Sequence, residues 1–238
     1  MTRPTAMTRR SRPGALHTAL AALAAAALAG CASPPSRFYT LSDTLASSSA
    51  SSASSPQAPM AAATAATTAS PAIPAGAPAA PYALEVSPVS VPEQVDRPQI
   101  VVTRGGGRVD ILEESRWAAP LKTELTSAIS RDLTQRLGAM DVYGLPRADG
   151  LAVYRVATSV QRFESVPGEQ AALTAVWSVR RVPGDLVLTC RFNATEPAAG
   201  DIDGVVAAQR RLVERLARGI GDAIAVSAQG AATPRCQN

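Results

Sequence analysis

The sequence predicts an α+β domain of two layers, with about six mostly antiparallel strands and two helices packed on one face of them. Two periodicities support this fold class. Between residues 82 and 192, apolar residues alternate with polar ones in several short segments, as in half-buried strands. In two longer segments they recur every third or fourth position, as in amphipathic helices. Each kind of element has one apolar surface, so we expect strands and helices to bury these surfaces against each other.

Residues 1–30 have the pattern of a lipoprotein signal peptide. Four arginines without an acid precede an apolar stretch, residues 15–28, that is too short to span a bilayer as a stable helix. Leu28, Ala29 and Gly30 then lead directly into Cys31, and this order resembles the lipobox of bacterial lipoproteins. In a lipobox the cysteine thiol is acylated, so we predict lipidation at Cys31. Ala32, rather than Asp, at the next position favours the outer membrane over the inner one.

Residues 31–45 form the lipidated N-terminus and include one predicted strand, 38–41. Residues 46–81 follow as a low-complexity segment of Ala, Ser, Thr and Pro without a charged residue. Such a composition buries too little apolar surface to offset the entropy of its chain. The segment is either a tether between lipid and domain or, if 38–41 is a strand of the fold, a long loop inserted in the domain.

The folded domain is predicted to span residues 82–227, followed by a C-terminal tail, 228–238. Its first strands are expected at 82–91, 100–102 and 109–112, and the run of three glycines, 105–107, predicts a hairpin turn between the last two. A glycine run can also cradle phosphate, but neither the Lys-Ser/Thr pair nor a helix start follows it here.

Two helices and a meander are predicted in the rest of the domain. The first helix begins near Ser115 and ends before Gly138, with Pro120 in its first turn. Its apolar stripe repeats every four residues: Trp117, Leu121, Leu125, Ile129, Leu133 and Leu137. Three alternating segments, 151–163, 173–179 and 186–192, predict an antiparallel meander. The last helix is expected over residues 203–226, with one apolar side and one arginine-rich side.

Composition excludes several functional classes. Four of the 23 Lys and Arg residues lie in the signal, which leaves 19 against 19 Asp and Glu, so the mature chain is neutral and offers no electrostatic footprint for nucleic acid. The only histidine, His17, also lies in the signal. The mature chain therefore has no imidazole for catalysis or for a zinc site, and we predict no enzyme, cofactor or metal. The adjacent acids Glu113 and Glu114 are expected at the solvated start of the first helix.

Two further features concern single residues. Cys190 and Cys236 can pair as a disulfide in an oxidising compartment; the alternative is a buried free thiol at Cys190 and an unpaired one in the tail. Asp96 and Arg97 precede Pro98 and Gln99 in a proline-stiffened loop. The charged pair either shapes the turn before Pro98 or presents a loop on which a partner docks.

Several segments together resemble the PqiC (YmbA) family of ABC-type and MCE transport auxiliary lipoproteins. They are the lipobox, residues 38–41, the run Asp96-Arg97-Pro98-Gln99 and the run Arg116-Trp117-Ala118-Ala119-Pro120-Leu121 about twenty residues later. The low-complexity segment is longer than this family leads us to expect.

The resemblance implies an outer-membrane lipoprotein that faces the periplasm and has no enzymatic activity. It implies as partners an MCE-domain periplasmic protein like PqiB and an inner-membrane protein like PqiA or an ABC permease, and it is compatible with a homo-oligomer. The function expected is therefore that of an accessory subunit in intermembrane lipid transport and envelope integrity. Two alternatives stay open: a lipid-binding periplasmic shuttle, and a structural envelope lipoprotein without a transport role.

Overall fold

The structure, a computed structural model, describes residues 35–42, 80–184, 186–230 and 234–236. These residues contain seven strands and two helices: β1 Arg37–Tyr39, β2 Tyr82–Val86, β3 Gln99–Gly105, β4 Arg108–Trp117, α1 Leu121–Leu137, β5 Ala152–Val166, β6 Gln170–Val182, β7 Leu186–Pro197 and α2 Ile202–Gln229. The predicted α+β class is confirmed. The strands form two sheets, one of three strands and one of four.

The four-stranded sheet has the order β2-β5-β6-β7. The predicted antiparallel meander forms its last three strands, while β2 runs parallel to β5. Along β5, the side chains of Tyr154, Val156 and Val160 alternate with exposed ones and are buried on the core side. Trp177 of β6 is also buried in this core. The alternation read from the sequence therefore identified the core face correctly.

The three-stranded sheet has the order β1-β4-β3. A hairpin joins β3 to β4, and all three glycines at its tip have positive φ angles of 60° to 79°. L side chains rarely adopt this conformation, which explains the glycine run without any phosphate site. The short strand β1 runs parallel to β4, with Arg37 opposite Ser115 and Tyr39 opposite Trp117. The segment soon after Cys31 is therefore a strand of this sheet.

The predicted start of the first helix near Ser115 is wrong. Residues 115–117 end β4 instead, because they pair with β1 and because the Trp117 N–H donates to the Pro98 carbonyl oxygen at 2.7 Å. Glu113 and Glu114 consequently lie on a strand rather than at a helix start. The helix α1 begins after Pro120 and ends, as predicted, before Gly138, which adopts a left-handed conformation with φ of 61°.

The long helix α2 packs its apolar side on β6, β7 and α1. Its N-cap is Asp201, whose side chain accepts a hydrogen bond from the Gly204 N–H at 2.8 Å. The side chains buried along it follow the predicted stripe: Val205, Val206, Leu212, Val213, Leu216, Ile220 and Ile224. At its other side, Arg211 and Arg215 both bind the carboxylate of Glu196 on β7, at 3.3 and 2.7 Å.

One buried carboxylate connects β1 to the helices. Glu124, in the first turn of α1, is only 6% exposed. It accepts hydrogen bonds from the Thr40 hydroxyl at 2.7 Å, the Leu41 N–H at 2.9 Å and the Ala119 N–H at 3.1 Å. From α2, the Arg210 Nε donates to the Thr40 carbonyl oxygen at 2.9 Å. The residues that follow β1 are thus held by both helices.

Three predicted features lie outside the described residues. They are the signal peptide, residues 1–30, the lipidation residue Cys31, and residues 46–79 of the low-complexity segment. The last residues of that segment are described, and the Ala80 N–H donates to the Gly138 carbonyl oxygen at 3.1 Å. Among the described helices, none is long and apolar enough to cross a membrane.

Replacing Glu124 by Gln should destabilise the fold. The amide oxygen of Gln can accept only some of the three hydrogen bonds that the carboxylate accepts. The amide NH2 group is itself a donor, so the N–H or hydroxyl groups that face it would have no acceptor. Hydrogen bonds to charged groups contribute about 1.5–3 kcal/mol, so we expect the free energy of unfolding to fall by about that amount. Chemical denaturation measures it. Glu114→Gln is the control, since among the described residues this carboxylate accepts only an exposed bond from Ser36. Equal effects of the two substitutions would contradict the role assigned to Glu124.

Candidate functional site

The loop before β3 contains the predicted partner-binding residues. It is closed by a turn in which the Val95 and Asp96 N–H groups both donate to the Pro92 carbonyl oxygen, at 3.1 and 3.2 Å. Asp96 is exposed and lies 3.6 Å from the ammonium of Lys122 on α1. A pair this exposed contributes about 0–1 kcal/mol. The ion pair at this position therefore joins Asp96 to α1 and not to Arg97.

The second half of the loop is tied to β4. The Pro98 carbonyl oxygen accepts the Trp117 N–H, and the Gln99 Nε2 donates to the Glu113 carboxylate at 3.1 Å. Arg97 is half-buried, and its Nε has no hydrogen-bond partner among the described residues. The loop is thus fastened to the fold at both ends, while Asp96 and Pro98 remain exposed on its surface.

An open groove of about 330 Å³ lies beside this loop. Val95 from the loop, Val101 and Val109 from the hairpin, and Phe163 from β5 form its apolar lining, with Gln94 and Glu164 as polar groups. The groove could not be predicted from the sequence, because one of its walls, Phe163 and Glu164 of β5, is distant in the chain from the loop and the hairpin that form the rest. It borders the loop that the sequence singled out, so loop and groove together form one candidate docking surface.

A second, polar cleft of about 500 Å³ lies between α1 and α2. Asp132 and Glu214 both line it, together with Arg136 and Arg218. Burial raises the pKa of the Asp132 carboxyl above its ordinary value, and the charge of Glu214 raises it further, while Arg131 and Arg136 oppose the shift. In the described part of the chain, no group of three or more His, Cys, Asp and Glu residues is placed to hold a metal ion.

The two cysteines of the domain are joined. Cys190, buried in the middle of β7, forms a disulfide with Cys236, and their Cα atoms lie 5.5 Å apart. The bond fixes the tail residues 234–236 to the outer strand of the four-stranded sheet. Of the two alternatives that the sequence left open, the structure therefore contains the disulfide.

The family of the chain follows from a comparison with known protein families. Residues 62–221, more than half of the chain, match the model of the family described as "ABC-type transport auxiliary lipoprotein component". The chain belongs to this family. The resemblance found in the sequence is thereby confirmed. The family consists of lipoproteins that assist transport, which is not an enzyme class and implies a membrane-anchored location in the periplasm.

Solved structures show the same fold at low identity. A crystal structure of a Xanthomonas campestris protein is 22% identical and has a TM-score of 0.51, with 65% of this chain and 92% of that one covered. The crystal structure of another, uncharacterized protein is 19% identical with a TM-score of 0.52, and 62% and 94% are covered. At such identities the likeness concerns the fold alone. No curated protein matches the chain in sequence.

The disulfide should contribute to stability. It closes a loop of sequence separation 46 that contains all of α2, and cross-links of this kind stabilise by about 2–4 kcal/mol. We expect the double variant Cys190→Ala with Cys236→Ala to lose about that amount in chemical denaturation. The wild type under reducing conditions is the control and should approach the variant. An identical unfolding curve for oxidised and reduced wild type would contradict the prediction.

Proposed function

We propose that this lipoprotein is anchored by Cys31 to the outer membrane, faces the periplasm, and serves as the accessory subunit of an MCE-type intermembrane lipid transport system. Its partners are an MCE-domain periplasmic protein like PqiB and an inner-membrane protein like PqiA or an ABC permease. In this role it contributes to envelope integrity. The family membership carries the proposal, because it already makes the chain an auxiliary lipoprotein of a transport system.

The anchor is coupled to the domain through β1. Only four residues separate Cys31 from Ser36. The Ser36 hydroxyl donates to the Glu114 carboxylate at 3.2 Å, and β1 begins at the next residue. Glu124 and Arg210 then hold Thr40. A domain attached in this way stays close to the lipid. It therefore suits a subunit that connects a periplasmic channel to the membrane.

The partner docks on the surface formed by the loop at residues 92–99 and the adjacent groove. The loop is held by the Pro92 turn, by Lys122 and by β4, so ordering it on binding costs less entropy than ordering a free loop. The groove beside it provides apolar lining for a side chain of the partner. Apolar burial next to exposed polar groups is the usual composition of a specific interface.

The shuttle alternative needs an enclosed apolar cavity between the meander and its cover. In the described residues this space is filled, because α2 packs its apolar side on β6 and β7, with Trp177 and Leu212 buried there. The groove beside the loop is open and has Glu164 at its wall. These observations favour an accessory subunit over a lipid carrier.

Replacing Cys31 by Ser should abolish lipidation. A serine hydroxyl cannot form the thioether to diacylglycerol, so we expect the variant to incorporate no radiolabelled palmitate and to leave the outer-membrane fraction. The double variant Cys190→Ala with Cys236→Ala is the matched control, since it removes the two cysteines of the disulfide but keeps Cys31, and it should keep both label and location. Palmitate entering the Cys31 variant would refute the lipoprotein anchor.

A double replacement, Asp96→Ala with Arg97→Ala, tests the docking surface. The exposed pair with Lys122 contributes little to stability, so the melting temperature should change only slightly. Capture of the MCE-domain partner by immobilised protein should weaken about tenfold, roughly 1.4 kcal/mol.

The matched control is Arg136→Ala with Asp222→Ala, which removes another exposed ion pair, of 3.4 Å, between the two helices. It should leave capture unchanged. If stability and capture fall together in the Asp96 and Arg97 variant, the residues shape the turn and do not form the interface. Full capture by a stably folded variant would also overturn the assignment.

A further inference from the structure

Among the described elements, helices cover only one face of the four-stranded sheet. The helix α2 packs on β6 and β7, and Trp177 of β6 is buried on that side. Val176 and Ser178, the neighbours of Trp177 along the strand, point the other way, and so do Ser159 and Ala157, which are opposite them on β5. We call this second side the outer face of the four-stranded sheet.

An open groove of about 390 Å³ lies in the middle of this outer face. Four hydroxyl side chains line it: Ser90, Ser159, Ser178 and Thr189. The Ser90 hydroxyl donates to the Ser159 hydroxyl at 3.0 Å. Ser178 and Thr189 are directly opposite each other, and within the described part of the chain their hydroxyls have no hydrogen-bond partner. These two hydroxyls are therefore available to a ligand.

Two exposed arginines flank this pair of hydroxyls. Arg180 comes two residues after Ser178 on β6, and Arg191 comes two residues after Thr189 on β7, so both side chains point to the outer face. Among the described residues, neither guanidinium has an ion pair or a hydrogen bond. Two residues of a strand span about 7 Å, a distance that an arginine side chain can bridge. Either guanidinium can thus reach a ligand held in the groove.

A further cation lies directly beside Arg180. Arg155 of β5 is opposite Arg180 in the sheet, and like charges at opposite positions destabilise a pair of strands. Arg155 is bound to the Glu85 carboxylate at 2.7 Å, but Arg147 shares that carboxylate at 3.1 Å. In the described part of the chain, four arginines around the groove are therefore opposed by one acid. The positive charge that remains favours an anionic ligand.

The side chains of the groove suit an acidic protein segment better than a bilayer. Contact with a bilayer depends on large apolar side chains in its interfacial layer, and the one large apolar side chain that borders the groove, Trp177, is only 1% exposed. Carboxylates, by contrast, form strong paired hydrogen bonds with guanidinium groups and accept hydrogen bonds from hydroxyls. Small residues such as Ala157 and Ser178 also let an extended chain lie close to the sheet.

We propose that the outer face of the four-stranded sheet binds an extended acidic segment of a protein partner, with carboxylates on Arg180 and Arg191 and the chain over Ser178 and Thr189. This surface is separate from the docking surface at the loop of residues 92–99. The groove beside that loop and the groove on the outer face have no lining residue in common. The new site therefore holds whether or not the loop binds a partner.

Binding of a labelled peptide tests this site. The probe is a fluorescent decapeptide of alternating Glu and Ser, whose carboxylates repeat about every 7 Å in an extended chain, like alternate residues of the sheet. The full protein in neutral detergent micelles should raise the fluorescence anisotropy of this peptide. Added salt should weaken the binding, because exposed charges are screened. The same peptide with Gln in place of Glu should not bind.

The decisive variant is Arg180→Gln with Arg191→Gln, which should weaken binding of the Glu peptide about tenfold. Both side chains are exposed, so its melting temperature should stay close to that of the wild type. Arg136→Gln with Arg218→Gln is the matched control, since it removes the same charge from the cleft between the helices, and it should bind as the wild type does. Arg180→Lys with Arg191→Lys keeps the charge and should bind more tightly than the Gln variant.

Loss of binding only in the variant of Arg180 and Arg191 supports the proposal. Equal losses in the two Gln variants would show that the peptide responds to net charge alone, and would overturn it. A folded wild type that does not bind the Glu peptide overturns it as well. Inorganic phosphate that displaces the peptide at equal concentration would assign the groove to a small anion instead of a protein segment.

Discussion

The buried carboxylate of Glu124 is the interaction on which the arrangement of the N-terminal part depends. A strand of three residues gains few ladder bonds, while fixing each backbone residue costs about 1–2 kcal/mol. A carboxylate removed from water is stable only when it is fully hydrogen-bonded, and here three donors and the first turn of a helix surround it. The carboxylate and the end of β1 therefore stabilise each other.

Hydrogen bonds also hold the chain on both sides of the low-complexity segment. On one side, Leu41 is buried and its N–H is bound by Glu124; on the other, Ala80 is bonded to Gly138. We propose that the segment is an insertion between two strands of the fold. Closing a longer loop costs only about 0.6 kcal/mol for each doubling of its length, so such an insertion can grow at little cost to stability.

The sequence predicted the elements whose periodicity is local, namely the meander, α2 and most of α1. It misplaced the start of α1 because Trp117, Leu121 and Leu125 share a spacing of four that suits a helix. The pairing that makes Trp117 a strand residue comes from β1, which is far away in the chain.

The same limit applies to the candidate site. The loop at residues 92–99 was found through its prolines and charges, whereas the groove beside it joins residues from three separate segments. One signal for Glu124 was present: three residues after Leu121 and four before Ala128, it lies on the apolar stripe of its helix, where an acid needs buried donors.

Both outer edges of the four-stranded sheet are covered by other parts of the chain. The short run at Asp141 bridges Leu84 at one edge, and the cross-linked tail lies against β7 at the other. Open edges are where sheets of neighbouring molecules join and aggregate. Covering them disfavours such joining among copies that a lipid anchor would concentrate on a two-dimensional surface.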